Sequence, residues 1–113
     1  LQIRRKLGIE GVLTNTSTWR HTGDKGERGA QIELLLERQD RCINICEIKF
    51  TNDLFVMDKN YSTDLNRKVN VFREVTGTNK TLFLTLITTF GAMKNEYYLG
   101  QVQAEVLMED LFK

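Results

Sequence analysis

The chain has no excess of charge of either sign: among its 113 residues, 16 lysines and arginines face 15 aspartates and glutamates. No overall positive field advertises a nucleic-acid partner, so any basic surface must be local. Long apolar runs are missing too. The longest, Thr81 to Phe90, falls well short of the roughly 18 residues a membrane helix needs, so the sequence reads as a soluble, cytoplasmic chain with no membrane partner. It does not open on a basic segment followed by an apolar run, so nothing reads as a secretory signal. The Asn-X-Ser/Thr triplets at Asn15, Asn60 and Asn79 then read as coincidental. Cysteine and histidine are scarce. Cys42 and Cys46 fall in one β-rich run, where a rise of about 3.3 Å per residue keeps them too far apart to bridge, which points to a reducing compartment. With His21 as the single histidine, a four-ligand zinc site would need carboxylates as well. A His21–Cys46 nucleophile pair would lack an orienting third group.

What is present has clear periodicity. Leu1, Ile3, Leu7 and Ile9 suggest the end of a short basic helix, closed by Gly8 and Gly11. The start at Leu1 suggests a fragment of something longer. Residues 14–28 are polar and glycine-containing and read as a long loop, broken by a short strand around Ser17 to Arg20, with Trp19 as a buried anchor or, alternatively, a base-stacking platform. From Gln31 to Glu37 apolar and polar residues alternate with the period of a strand. Arg38 to Arg41 is a polar turn, and Cys42 to Phe50 a second strand, making an antiparallel hairpin. Asp58 to Val75 switches to helical spacing, with Tyr61, Leu65, Val69, Phe72 and Val75 on one face and Gly77 as the stop. Thr81 to Thr89 is a strand buried on both sides, which implies a parallel crossover. Tyr97 to Leu107 supplies a final strand, and Met108 to Lys113 a short terminal turn or helix. The expected architecture is one α/β domain over residues 1–113, a mixed sheet flanked by helices in the order α-β-β-α-β-β.

Three residues carry the chemistry. A consistent hairpin register sets Glu33 across from Glu47, and like charges directly opposite in a sheet need solvent, a shared proton or a cation. Mg²⁺ or Mn²⁺ is the natural neutraliser. Mg²⁺ keeps several waters and uses one or two carboxylates plus substrate phosphate, so Glu33, Glu47 and the backbone carbonyl of Ile48 would suffice. Lys49, two residues beyond Glu47, emerges on the same face, where its ammonium could serve the attacking water and offset phosphate charge. Gln31 shares that face as an auxiliary candidate, and Lys68 on the following helix is another. Tyr61 reads as packing. Arg4, Arg5, Lys6, Arg20, Lys25 and Arg28 are candidate phosphate contacts. The plain alternative for the central trio is a solvated face with ordinary ion pairs.

The stretches Gly29-Ala30-Gln31-Ile32-Glu33-Leu34-Leu35 and Cys46-Glu47-Ile48-Lys49-Phe50 resemble the PD-(D/E)XK nuclease superfamily. More narrowly, with Gln2-Ile3, Leu7-Gly8-Ile9, Thr88-Thr89-Phe90-Gly91 and Asp110-Leu111-Phe112, the chain resembles the C-terminal domain of AAA-type ATPases of bacteria and archaea. The resemblance implies a restriction-endonuclease-like fold, a divalent metal, nucleic acid (DNA foremost) as partner, and an ATPase domain upstream in the parent chain. No GxxxxGK[ST] phosphate loop occurs in these residues. Two departures stand out: the first acid of the pattern is more usually Asp, and an N-terminal acid found in many members has no counterpart. The expectation is a Mg²⁺-dependent nuclease; the alternative is a non-catalytic domain that docks nucleic acid, a partner protein or its own ATPase.

Overall fold

The computed structural model describes residues 7, 14–23 and 28–112. Within them, β1 (Thr14–His21), β2 (Ala30–Arg38) and β3 (Cys42–Lys49) form an antiparallel meander, followed by helix α1 (Lys59–Thr76), β4 (Thr81–Thr88), helix α2 (Glu96–Gln101), β5 (Ala104–Leu107) and a 3₁₀ turn (Met108–Phe112). The five strands make one mixed sheet in spatial order β1-β2-β3-β4-β5, with β4 parallel to β3 and β5 parallel to β4. The order is therefore β-β-β-α-β-α-β rather than the expected α-β-β-α-β-β. The leading helix of that expectation lies outside the described residues.

Two segments account for the difference. The tract read as a loop broken by a short strand around Ser17 to Arg20 carries a full edge strand, Thr14–His21, in which Thr14, Thr16 and Thr18 supply β-branched residues at period two. It carries almost no apolar signal, because most of its side chains are exposed. The segment read as one strand from Tyr97 begins instead as a helical turn. Asn95 caps it, its side chain accepting from the Tyr98 amide at 3.0 Å while its own amide donates to the Met57 carbonyl at 2.9 Å. β5 starts only after Gln103, whose side chain accepts from the Leu84 amide at 2.6 Å. Among the described residues, no helix is long and apolar enough to cross a membrane.

The β2–β3 connection is a three-residue loop in which Arg41 takes a left-handed backbone (φ 67°), the conformation that matches such hairpins. Helix α1 is closed at both ends as its sequence suggests. Asp58 accepts from the Tyr61 amide at 2.8 Å, and Gly77, left-handed at φ 64°, donates to the Arg73 carbonyl at 3.0 Å. Asp58→Ala is expected to lower unfolding free energy by about 1 kcal/mol, read by urea denaturation. No loss would mean that the cap is replaced by solvent.

Apolar side chains bury both faces of the sheet. Ile32, Leu35, Ile43, Ile45, Leu84 and Leu86 meet Leu65 and Phe72 of α1, with Trp19 edge-on to Phe72 at 5.1 Å. On the far face Leu36, Cys46, Ile87 and Val106 pack with Leu7, Leu34, Ile48 and Met108. Buried Asn44 on that side is satisfied by donating to Thr85 at 3.1 Å and accepting from Arg38 at 3.2 Å. Alternation along β3 thus sends residues 43, 45, 47 and 49 toward α1, and this positions the site.

Candidate functional site

Glu47 stands near the carboxyl end of β3, under α1, and is 6% exposed. A carboxylate so placed needs compensation, since desolvation disfavours its charged form. Lys68, 21 residues further along the sequence and on α1's inner face, provides it. Its Nζ lies 3.1 Å from each carboxylate oxygen, and the Tyr61 hydroxyl donates to Oε1 at 3.3 Å. Tyr61 and Lys68 are seven residues apart, two helical turns, so they share one face. Desolvation, then the charge and hydrogen bond of Glu47, then Asp64 and Glu33, push the Tyr61 phenol above its ordinary range, so it remains a donor.

Lys49 emerges on the same side. Its ammonium lies 4.7 Å from the centre of the Tyr61 ring and 5.9 Å from that of Phe55, and the two rings meet edge to face at 5.2 Å. The half-buried lysine is therefore oriented by two aromatic faces rather than by a carboxylate. Glu33 is exposed, and its charge acts on the same Tyr61 hydroxyl as that of Glu47.

An irregularity in β2 sets Glu33 apart. Ser17 pairs with Leu35 but Trp19 pairs with Ile32, so Thr18 faces both Glu33 and Leu34: a β-bulge. The β2–β3 ladder runs from Glu37↔Ile43 to Leu34↔Cys46 and stops before Glu33. Ile32 and Leu35 consequently both point toward α1, which simple alternation forbids. Gln31, next to Ile32, stands on the opposite face, where it accepts from Arg20 at 3.1 Å. Bulges of this kind re-aim side chains beside functional sites.

The remaining candidates disperse. The side chain of Ile48 packs on the far face, and its backbone lies opposite Ile87 of β4. Arg28 pairs with Asp64 at 3.4 Å. Arg4, Arg5, Lys6 and Lys25 lie outside the described residues. Cys46 is buried on the far face, and burial followed by the Glu47 charge pushes its thiol up to about 12, so it is no nucleophile at neutral pH. His21 stacks on Trp19 at 6.2 Å, away from Cys46. Sequence reasoning missed the polar role of Tyr61 and the part of Phe55. The seven-residue spacing from Tyr61 to Lys68 was the available signal.

A second polar knot pins the β4–β5 side. Glu105 accepts from the Ala92 amide at 2.9 Å and the Tyr98 hydroxyl at 2.8 Å and is paired with Lys94, whose ammonium also lies 4.1 Å from the Tyr98 ring centre. Burial alone would raise the Glu105 carboxyl, but Lys94, Tyr98 and Ala92 together hold it below its ordinary value of 4.5. A carboxyl lowered on folding stabilises the protein above its unfolded value and loses that contribution as pH falls through the folded one. The stability advantage of the native protein over Glu105→Gln is therefore expected to shrink as pH falls below that ordinary value of 4.5 in denaturant titrations. A gap independent of pH would count against this pin.

The donor chemistry suits a hard cation only sparingly. Among the described residues, no group of three or more His, Cys, Asp or Glu side chains could hold a metal ion. Glu33 and Glu47 together match the one or two carboxylates that Mg²⁺ takes when waters and substrate oxygens fill the rest.

No protein-family model matches the chain, and a search of curated proteins finds no match. Among solved structures, the chain is similar to the crystal structure of AF1548, a protein of unknown function. The TM-score is 0.56 and the identity 18%, over 92% of this chain and 53% of that one. At that identity the likeness shows the fold and carries no activity with it. The chain spans about half the length of AF1548.

Proposed function

We propose that this chain is a Mg²⁺- or Mn²⁺-dependent nuclease module, of the PD-(D/E)XK kind, that works within an AAA-type ATPase on nucleic acid, with DNA as the first substrate to test. The observation that carries this reading is the convergence of Glu47, Lys49 and Tyr61 under α1. Such a grouping at the carboxyl end of a strand, beside a bulge, is costly for stability and suited to phosphate chemistry.

A divalent ion bound there would polarise a phosphoryl oxygen and make water a better nucleophile near neutral pH. Glu33 and Glu47 would be its protein ligands, with the Ile48 carbonyl as a third. Lys49 offsets charge on the scissile phosphate, its ammonium held over the rings of Phe55 and Tyr61 so that little reorganisation is needed. Phe50 and Phe90, 78% and 58% exposed just beyond β3 and β4, offer aromatic faces on which unpaired bases can stack. The test is cleavage of labelled single- and double-stranded DNA and RNA with Mg²⁺ or Mn²⁺ against a chelated control. Metal-dependent cleavage is the expected result; intact substrate under every condition would overturn it.

One observation favours a second reading, the non-catalytic docking domain: Glu47 is already neutralised by Lys68. In that case nucleic acid or a partner protein binds with no divalent requirement.

A further inference from the structure

We propose that Lys68 is a built-in counter-cation for Glu47 which a divalent metal must displace, so that this lysine keeps the carboxylate positioned and lowers the affinity for metal in the absence of substrate. The inference rests on the nuclease reading and specifies how that site is regulated.

A carboxylate offers about four lone-pair sites. In Glu47, Lys68 takes one on each oxygen at 3.1 Å, and Tyr61 takes another on Oε1 at 3.3 Å. What remains is a single direction on a group whose charge is already balanced by an ammonium in a dry setting. A divalent ion approaching that carboxylate would meet the Lys68 charge at close range, where low dielectric makes the repulsion large. Lys68 can give way. Its side chain retains 17% exposure on a four-carbon stem, so the ammonium can move toward solvent while the stem stays packed. Tyr61, capped into the first turn of α1, stays behind to hold Oε1. A phosphate arriving with the metal brings negative charge of its own and so lowers the cost of the exchange. Metal and substrate are therefore coupled: each promotes binding of the other by the same factor.

The decisive measurement is Mn²⁺ affinity by calorimetry for the native protein, Lys68→Gln and Lys68→Arg. Lys68→Gln removes the competing charge and is expected to bind Mn²⁺ at least about tenfold more tightly, roughly 1.4 kcal/mol. Lys68→Arg keeps the charge and should bind no more tightly than the native protein. Equal or weaker Mn²⁺ binding in folded Lys68→Gln would overturn the proposal while leaving cleavage as an independent result. A second readout needs no variant: acylation of Lys68, followed by mass spectrometry against exposed Lys59 on the same helix, should rise as Mn²⁺ saturates the native protein. Labelling that stays constant while the ion binds would overturn the displacement even if Lys68→Gln fails to fold. Absence of Mn²⁺ binding in every variant, together with absence of cleavage, would remove the nuclease reading and this proposal at once.

Discussion

Glu47→Gln is expected to cut metal-dependent cleavage by about 10³-fold or more, with the fold intact by circular dichroism. Glutamine keeps the volume of the buried side chain and one oxygen that can accept from Lys68 or Tyr61, so packing under α1 survives. What disappears is the negative charge, which a hard cation needs and an amide does not supply. Lys49→Met should lose about 10²-fold, because it removes charge stabilisation at the phosphate without touching either carboxylate. Cleavage by Glu47→Gln equal to that of the native protein would place the chemistry elsewhere, whatever the fate of Lys49.

The sequence made the essentials of this centre legible because they depend only on strand period. Glu47 and Lys49 are two residues apart in a run whose odd members face α1, and the structure places both there. Helix α1 was legible for a similar reason: an apolar stripe at helical spacing, an aspartate at its start and a glycine at its stop. The bulge was not legible. Nothing in Gln31-Ile32-Glu33-Leu34-Leu35 distinguishes a regular strand from one in which Thr18 faces two residues, since the irregularity is a property of the pairing. One extra residue is enough to send Gln31 to the wrong face and leave Glu33 exposed.

The other misreadings arose where tertiary partners overrode local signal. Tyr97 and Tyr98 favour a strand by composition, yet Asn95, anchored on the Met57 carbonyl, starts a helical turn there. Only the middle of β1, around Ser17 to Arg20, was legible, because an edge strand with exposed side chains has no apolar face to display. Tyr61 was read as packing and does pack, edge to face with Phe55, but the same ring also presents its hydroxyl to Glu47. Amphipathic side chains of this kind hold both roles at once, and only the position of the buried carboxylate separates them.

Breaking the Glu47–Lys68 pair from one side should be far more damaging than removing it whole. Lys68→Met is expected to cost about 3 kcal/mol of unfolding free energy at neutral pH, because it strands a buried carboxylate with Tyr61 as its remaining partner. Glu47→Leu should cost less, since the orphaned lysine can reach water along its own stem. The double substitution should lie within about 1 kcal/mol of the native protein, as two apolar side chains replace a pair whose desolvation nearly offsets its attraction. The resulting coupling, about 2 kcal/mol in a double-mutant cycle, corresponds to roughly 30-fold in an equilibrium constant. A metal displacing Lys68 must overcome interactions of that size, which is why the cycle bears on loading as well as on stability. Strictly additive effects in urea denaturation would mean that solvent screens the pair, and Lys68 would then be too weak a counter-cation to hold a divalent ion off Glu47.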